Sequence, residues 1–234
     1  MFDKTMVRGL FVVALAATLL DGTAMADVIL PTQEQLSALR ATQYQIAFVT
    51  SDTMDGTSGS ESSYNTIAAT DAAENHTLNN LGASWTAITT TTTMDASVNA
   101  TTYSGVPIFN TQGQLILSDG SQLYTNWTTY SLANPIEYDE SGSYQDTRVW
   151  TGGYANNGDY QQYPLGDPHG IGTVVAGDDT STTVWNMNHW ISPITQYPVY
   201  ALSSPVPEPT TLTLLVSALL GLGLVYLRRR GAKA

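Results

Sequence analysis

Few side chains in this sequence are equipped for catalysis. His76, His169 and His189 are its three imidazoles. One of them could serve as general base toward a serine, because a Ser–His–Asp set is defined by geometry and not by spacing. His169 sits in the loop Asp167-Pro168-His169-Gly170 and His189 stands beside Trp190, whereas His76 reads as an exposed helix residue. No nucleophile-elbow pattern accompanies them. Acidic side chains form three loop groups: Asp52 with Asp55, Glu137 with Asp139 and Glu140, and Asp178 with Asp179. Loop carboxylates are oxygen ligands for a hard cation such as Ca²⁺, but none of the three groups has EF-hand spacing. Capping of turns by Asp is the simpler use. Tyr130, Tyr138, Tyr144, Tyr154, Tyr160, Tyr163, Trp150 and Trp190 offer flat faces for stacking a sugar. Aromatic side chains more often fill cores and loops. These residues lead us to expect no catalytic site, no cofactor and no dedicated metal site.

The two ends are more specific. Lys4 and Arg8 precede an apolar stretch from Leu10 to Leu20, and Ala24-Met25-Ala26 follows. That order is a secretory signal peptide, cut after Ala26. Its eleven apolar-region residues are too few to cross ~30 Å of hydrocarbon. At the other end, Val206-Pro207-Glu208-Pro209 precedes the uncharged stretch Thr210 to Leu227. As a helix this stretch would reach about 27 Å, enough to cross a bilayer. Arg228, Arg229, Arg230 and Lys233 follow and set the cytoplasmic side. Pro207 and Pro209 fix φ and remove two backbone donors around Glu208, which predicts an extended, exposed segment.

The succession Pro-Glu-Pro, apolar span, triple Arg resembles the PEP-CTERM signal of Gram-negative bacteria, which an exosortase-type membrane protease reads. The resemblance implies that Val206 to Pro209 form the recognition motif. It implies that 210–227 holds the chain in the membrane, that Arg228 to Arg230 stop transfer, and that the tail is then removed. It also implies a final place at the cell surface or in the extracellular matrix. The expected organisation is a signal peptide over 1–26, an extracytoplasmic domain over 27–204 and a sorting tail over 205–234.

Composition narrows the partners. Between the two ends, eighteen acids face only Arg40 and Arg148, close to −16. A surface so poor in Lys and Arg excludes nucleic acid and anionic lipid headgroups as partners. The chain has no cysteine, so an exported domain must rest on packing and hydrogen bonding without disulfides.

Hydrophobic patterning predicts an α+β body. A weak helical pattern covers Pro31 to Gln43, and a stronger one covers Ser63 to Leu81, with Tyr64, Ile67, Ala68, Ala72 and Leu78 on one stripe and Gly82 as its stop. Strands are predicted at 45–50, 85–90, 106–109, 115–117, 149–151, 182–185 and 197–202, with 156–172 a polar loop and 203–209 a stalk.

Several segments fall in a familiar order. These are Ala47-Phe48-Val49-Thr50-Ser51, Thr70-Asp71-Ala72-Ala73, Trp85-Thr86-Ala87, Val106-Pro107-Ile108-Phe109-Asn110 and Val149-Trp150-Thr151-Gly152. Their order is similar to that of bacterial surface domains of unknown function with an endostatin-like, C-type-lectin-like fold. Glu74 and Met187 stand where those domains often carry cysteines. The Glu-Pro-Asn and Trp-Asn-Asp triplets of Ca²⁺-dependent lectins are missing, so sugar binding by that mechanism is not implied.

The combined expectation is an exported protein with a structural or adhesive role and no enzymatic activity. It would travel through the inner membrane, held by its C-terminal helix, to the outer envelope or exopolysaccharide matrix. Signal peptidase and exosortase are its expected processing partners. The alternatives are a carbohydrate-binding module that retains exopolysaccharide, with or without Ca²⁺, and an extracellular hydrolase built on His169 or His189.

Overall fold

The strand β1 (Gln43–Val49) has six of its seven residues buried. It is the axis of the fold. Tyr44, Ile46 and Phe48 enter one hydrophobic cluster, and Ala47 and Val49 enter a second on the opposite side. A strand covered on both faces carries an unbroken apolar run instead of alternation, as Ile46-Ala47-Phe48-Val49 does. The computed structural model describes residues 27–125, 131–153, 163–167, 172–187 and 189–208.

Around β1 lies the main sheet. It contains β2 (Trp85–Ala87), β3 (Ile108–Asn110), β4 (Leu115–Leu117) and β8 (Tyr200–Ser203), in the order β2-β8-β1-β3-β4. β3 runs parallel to β1, with Gln45 opposite Ile108, and β8 runs antiparallel, with Phe48 opposite Ala201. A second sheet holds β5 (Arg148–Trp150), β6 (Val174–Asp178) and β7 (His189–Ile191), all antiparallel. The two sheets meet at Trp150. Its backbone forms a parallel β-bridge with Val199, and its fully buried indole donates from Nε1 to the Met54 carbonyl at 2.8 Å and meets the Tyr197 ring edge-on at 5.1 Å.

One face of the main sheet is covered by helices. α1 (Gln33–Leu39) begins with a capping box between Thr32 and Gln35 and buries Leu36. It ends at Arg40 in the left-handed conformation, φ 54°. α2 (Glu61–Glu74) lays Tyr64, Ala68 and Ala72 on the sheet. The single helix predicted over Ser63 to Leu81 is interrupted. Asn75 takes extended backbone and caps α3 (His76–Asn79), its Oδ1 accepting from Thr77 N–H and Leu78 N–H at 2.9 and 3.1 Å. Gly82, at φ 64°, closes the helical region in a conformation that favours glycine.

Three further departures from the predicted pattern are physical. Residues 182–185 form bends, not a strand, and Trp185 turns into the core against Tyr200. β6 reads weakly as a strand because it carries Gly177, yet a Cβ there would collide with the Trp185 carbonyl, so close backbone approach requires glycine. The stalk predicted over 203–209 is in its described part a continuation of the sheet. Ser203 ends β8, and Val206–Pro207 form β9, antiparallel to the start of β1. Among the described residues no helix is long and apolar enough to cross a membrane.

Candidate functional site

The head of the C-terminal motif is built into the domain. β8 pairs with β1 as Ala47 opposite Leu202, and β9 pairs as Tyr44 opposite Val206. Three residues back on β1 thus correspond to four forward on the other strand, a one-residue slip. Ser203 fills the gap: its Oγ accepts from Ile46 N–H at 2.8 Å and its carbonyl accepts from Gln45 Nε2 at 2.7 Å. Ser204 N–H donates to the Ser84 carbonyl at 2.8 Å, and Ser84 N–H donates to Ser204 Oγ at 3.1 Å.

Val206 is only 5 % exposed and joins the cluster of Tyr44, Leu36 and Phe109. Glu208 N–H donates to the Thr42 carbonyl at 3.0 Å. That bond falls one residue beyond the Gln43–Pro207 pair, so the pair needs no donor from Pro207 and proline is tolerated there. Gln33 Nε2, at the start of α1, donates to Glu208 Oε1. Val206 and Glu208 are therefore held in place, and Pro207 is the exposed member. The expected extended backbone is present and Pro207 is exposed, but the expectation of exposure is corrected at Val206, which is buried, and at Glu208, which is partly buried. Burial of the valine outweighs the tendency of a proline-rich stretch to stand free. Pro209, the 210–227 span, Arg228, Arg229, Arg230, Ala24 and Ala26 lie outside the described residues.

A second candidate is a surface cavity of about 380 Å³ lined by Asp146, Thr147, Arg148, Asp178, His189 and Tyr197. The β5-β6-β7 register assembles it: Arg148 pairs with Asp178, and His189 pairs with Ala176 two residues along. Alternation puts these side chains on one face. Partial desolvation, aided by the Arg148 charge and opposed by Asp178, holds His189 below its ordinary value. Tyr144, 58 % exposed, lies two residues before Asp146, and Trp190, 57 % exposed, follows His189 on β7 and so faces the other side of that strand. The lining thus brings together a guanidinium, two carboxylates, an imidazole and a phenol ring, all able to hydrogen-bond. His76 is exposed on α3, as predicted, with Asn80 Nδ2 beside its ring. His169 lies outside the described residues.

One carboxylate of each acidic group caps a local turn, whereas Glu140 and Asp179 accept from the distant Ser51 and Thr147 amides. Asp139 Oδ1 accepts from Ser141 N–H and Ser143 N–H at 2.9 Å, and its Oδ2 accepts from Gln145 Nε2 at 2.6 Å. Asp178 Oδ1 accepts from Thr180 N–H at 3.2 Å, and Asp55 Oδ1 accepts from Thr57 N–H at 3.1 Å. Among the described residues no three His, Asp or Glu side chains converge as metal ligands.

Two buried acids were not singled out by the sequence reading. Glu61 Oε2 accepts from Thr89 Oγ1 at 2.8 Å and Asn99 Nδ2 at 3.3 Å, and burial pushes its carboxyl up to about 7. Asp71 is fully buried and Oδ2 accepts from Asp52 N–H at 3.0 Å, while Oδ1 is without a partner. Burial pushes Asp71 to about 7, with Glu140 and Asp52 adding repulsion. Their signal is positional: with Tyr64 and Ala68 they occupy the i, i+3, i+7, i+10 stripe of α2, so both face the core.

Comparison with known families places residues 205–230 in the PEP-CTERM protein-sorting motif. No curated protein matches the chain. The match covers the docked Val206-Pro207-Glu208, the apolar stretch and the three arginines. The chain therefore carries a PEP-CTERM sorting tail, which implies export, sorting to the cell surface and processing by an exosortase.

Proposed function

We propose that the body of this exported protein is a C-type-lectin-like module with a structural or adhesive role in the envelope or its exopolysaccharide, and that it is not an enzyme. One observation carries the reading: the sorting motif is continuous with the folded body, so the body is the cargo delivered to the surface. Its chemistry-bearing acids support the same reading, since Asp55, Asp139 and Asp178 serve local turns. Deletion of the chain from its host should lower the exopolysaccharide retained on washed cells, and re-expression should restore it. Unchanged retention would remove the structural role.

The cavity around Arg148 favours a second reading, a carbohydrate-binding module. It is supported by the exposed ring of Tyr144, two residues from Asp146 of the cavity lining. Polysaccharide at a hundred times its Kd should then stabilise the folded domain by about 2.7 kcal/mol.

A further inference from the structure

We propose that the Arg148 cavity takes a neutral glycan, held through adjacent ring hydroxyls, in preference to uronate-bearing or amine-bearing sugars. The proposal rests on the carbohydrate-binding reading of this cavity and adds the class of sugar. The cavity measures about 380 Å³, at the small end of the range of roughly 300–1,000 Å³ that small-ligand sites occupy. Its walls are built without a ligand. Tyr197 exchanges backbone bonds with Met54 in both directions at 3.0 Å, and its ring meets Trp150 edge-on. Thr147 N–H donates to Oδ1 of the buried Asp179 at 2.9 Å, and Asp179 N–H returns a bond to the Thr147 carbonyl at 3.3 Å. Walls fixed in this way lower the ordering cost of binding.

The charges on these walls are of mixed sign. Arg148 is exposed at the start of β5 and stands opposite Asp178 in the register, and Asp146 lies two residues before it. Asp178 is partly committed to its own turn, where Oδ1 accepts from Thr180 N–H and Oγ1 at 3.2 and 2.9 Å. A uronate carboxylate that reached Arg148 would meet the negative charges of Asp146 and Asp178. An ammonium that reached those carboxylates would meet the guanidinium. Like charges set side by side are a strong means of rejecting a partner. The body adds a long-range bias against polyanions, since eighteen acids face two arginines. A hydroxyl meets neither penalty, because it donates and accepts at once. Neighbouring hydroxyls of one sugar can take N–H bonds from Arg148 and give O–H bonds to Asp178 or Asp146. His189, whose ring feels both Arg148 and Asp178, completes the polar wall.

The test is calorimetric titration of the mature protein, isolated from the producing cells, with oligosaccharides of equal length. The neutral probes are gluco-, manno- and galacto-oligosaccharides, and the charged probes are oligomannuronate and oligoglucosamine. The expected result is saturable binding of a neutral probe, at least about tenfold tighter than either charged probe and unchanged between low and high salt. Arg148→Ala should weaken that binding by about tenfold or more, and Arg148→Lys, which keeps the charge but loses the planar fork, should not restore it. Asp146→Asn, at an exposed position, removes one negative charge and should narrow the gap between the neutral probe and oligomannuronate. Tightest binding of a charged probe overturns the proposal and leaves the carbohydrate reading standing. Neutral binding that Arg148→Ala does not change places the sugar elsewhere and overturns the proposal. Failure of every probe to bind overturns the carbohydrate reading, and the proposal with it.

Discussion

Asp71 concentrates the electrostatic cost of this fold. Its carboxyl is fully buried, and one oxygen has no partner. Burial raises both Asp71 and Glu61 to about 7 in the folded chain, whereas unfolded carboxyls titrate near 4. The folded state therefore keeps protons that the unfolded state releases. Stability from these two groups is greatest below about pH 4, falls as pH rises from about 4 to about 7, and is level above that. Unfolding temperature should be lower at pH 8 than at pH 5, with a loss on the order of a few kcal/mol. Asp71→Asn keeps an acceptor for the Asp52 amide and removes the charge. It should flatten the slope, raising stability at pH 8 more than at pH 5. A variant with an unaltered pH slope would show that Asp71 is not its source.

At the scale of elements, the fold depends on how short segments are ended and docked. Asn75 separates α2 from α3 through its side-chain cap. Asn75→Ala should cost about 1 kcal/mol, a fall of roughly 2–4 °C in Tm for a chain of this size. Docking of β9 is larger in effect. A domain ending at Ser204 loses the burial of Val206, about 1.5–3 kcal/mol, and the Glu208–Thr42 bond. It should melt below a domain ending at Glu208, and equal melting would show that β9 adds nothing. The strands β1 and β4 were legible in the sequence because their apolar runs are dense and bounded, and α2 was legible from its stripe. β6 and β7 were not, because Gly177, Asp178 and the half-exposed His189 and Trp190 leave no periodic signal. β9 was masked by its prolines. Only the pairing partner supplied by distant Gln43 and Tyr44 makes Val206–Pro207 a strand, and no local pattern encodes that partner. The Arg148 cavity was equally hidden, since β5, β6 and β7 bring together residues 146 to 197 from separate segments. The motif itself was legible because its order of residue types is linear.

For the whole molecule, the sorting tail and the body form one continuous object. The last described residues of the body are the first residues of the signal. A body with eighteen acids and two arginines has no electrostatic attraction for anionic headgroups. Replacing Pro207-Glu208-Pro209 with alanines tests the central claim of sorting most directly, with wild type and variant followed by fractionation and by mass in the native host. The expected result is a wild-type chain that loses its tail and leaves the inner membrane, beside a variant that keeps Arg228 to Arg230 and remains there. A variant that matures and reaches the surface like wild type would contradict exosortase-directed sorting of this protein.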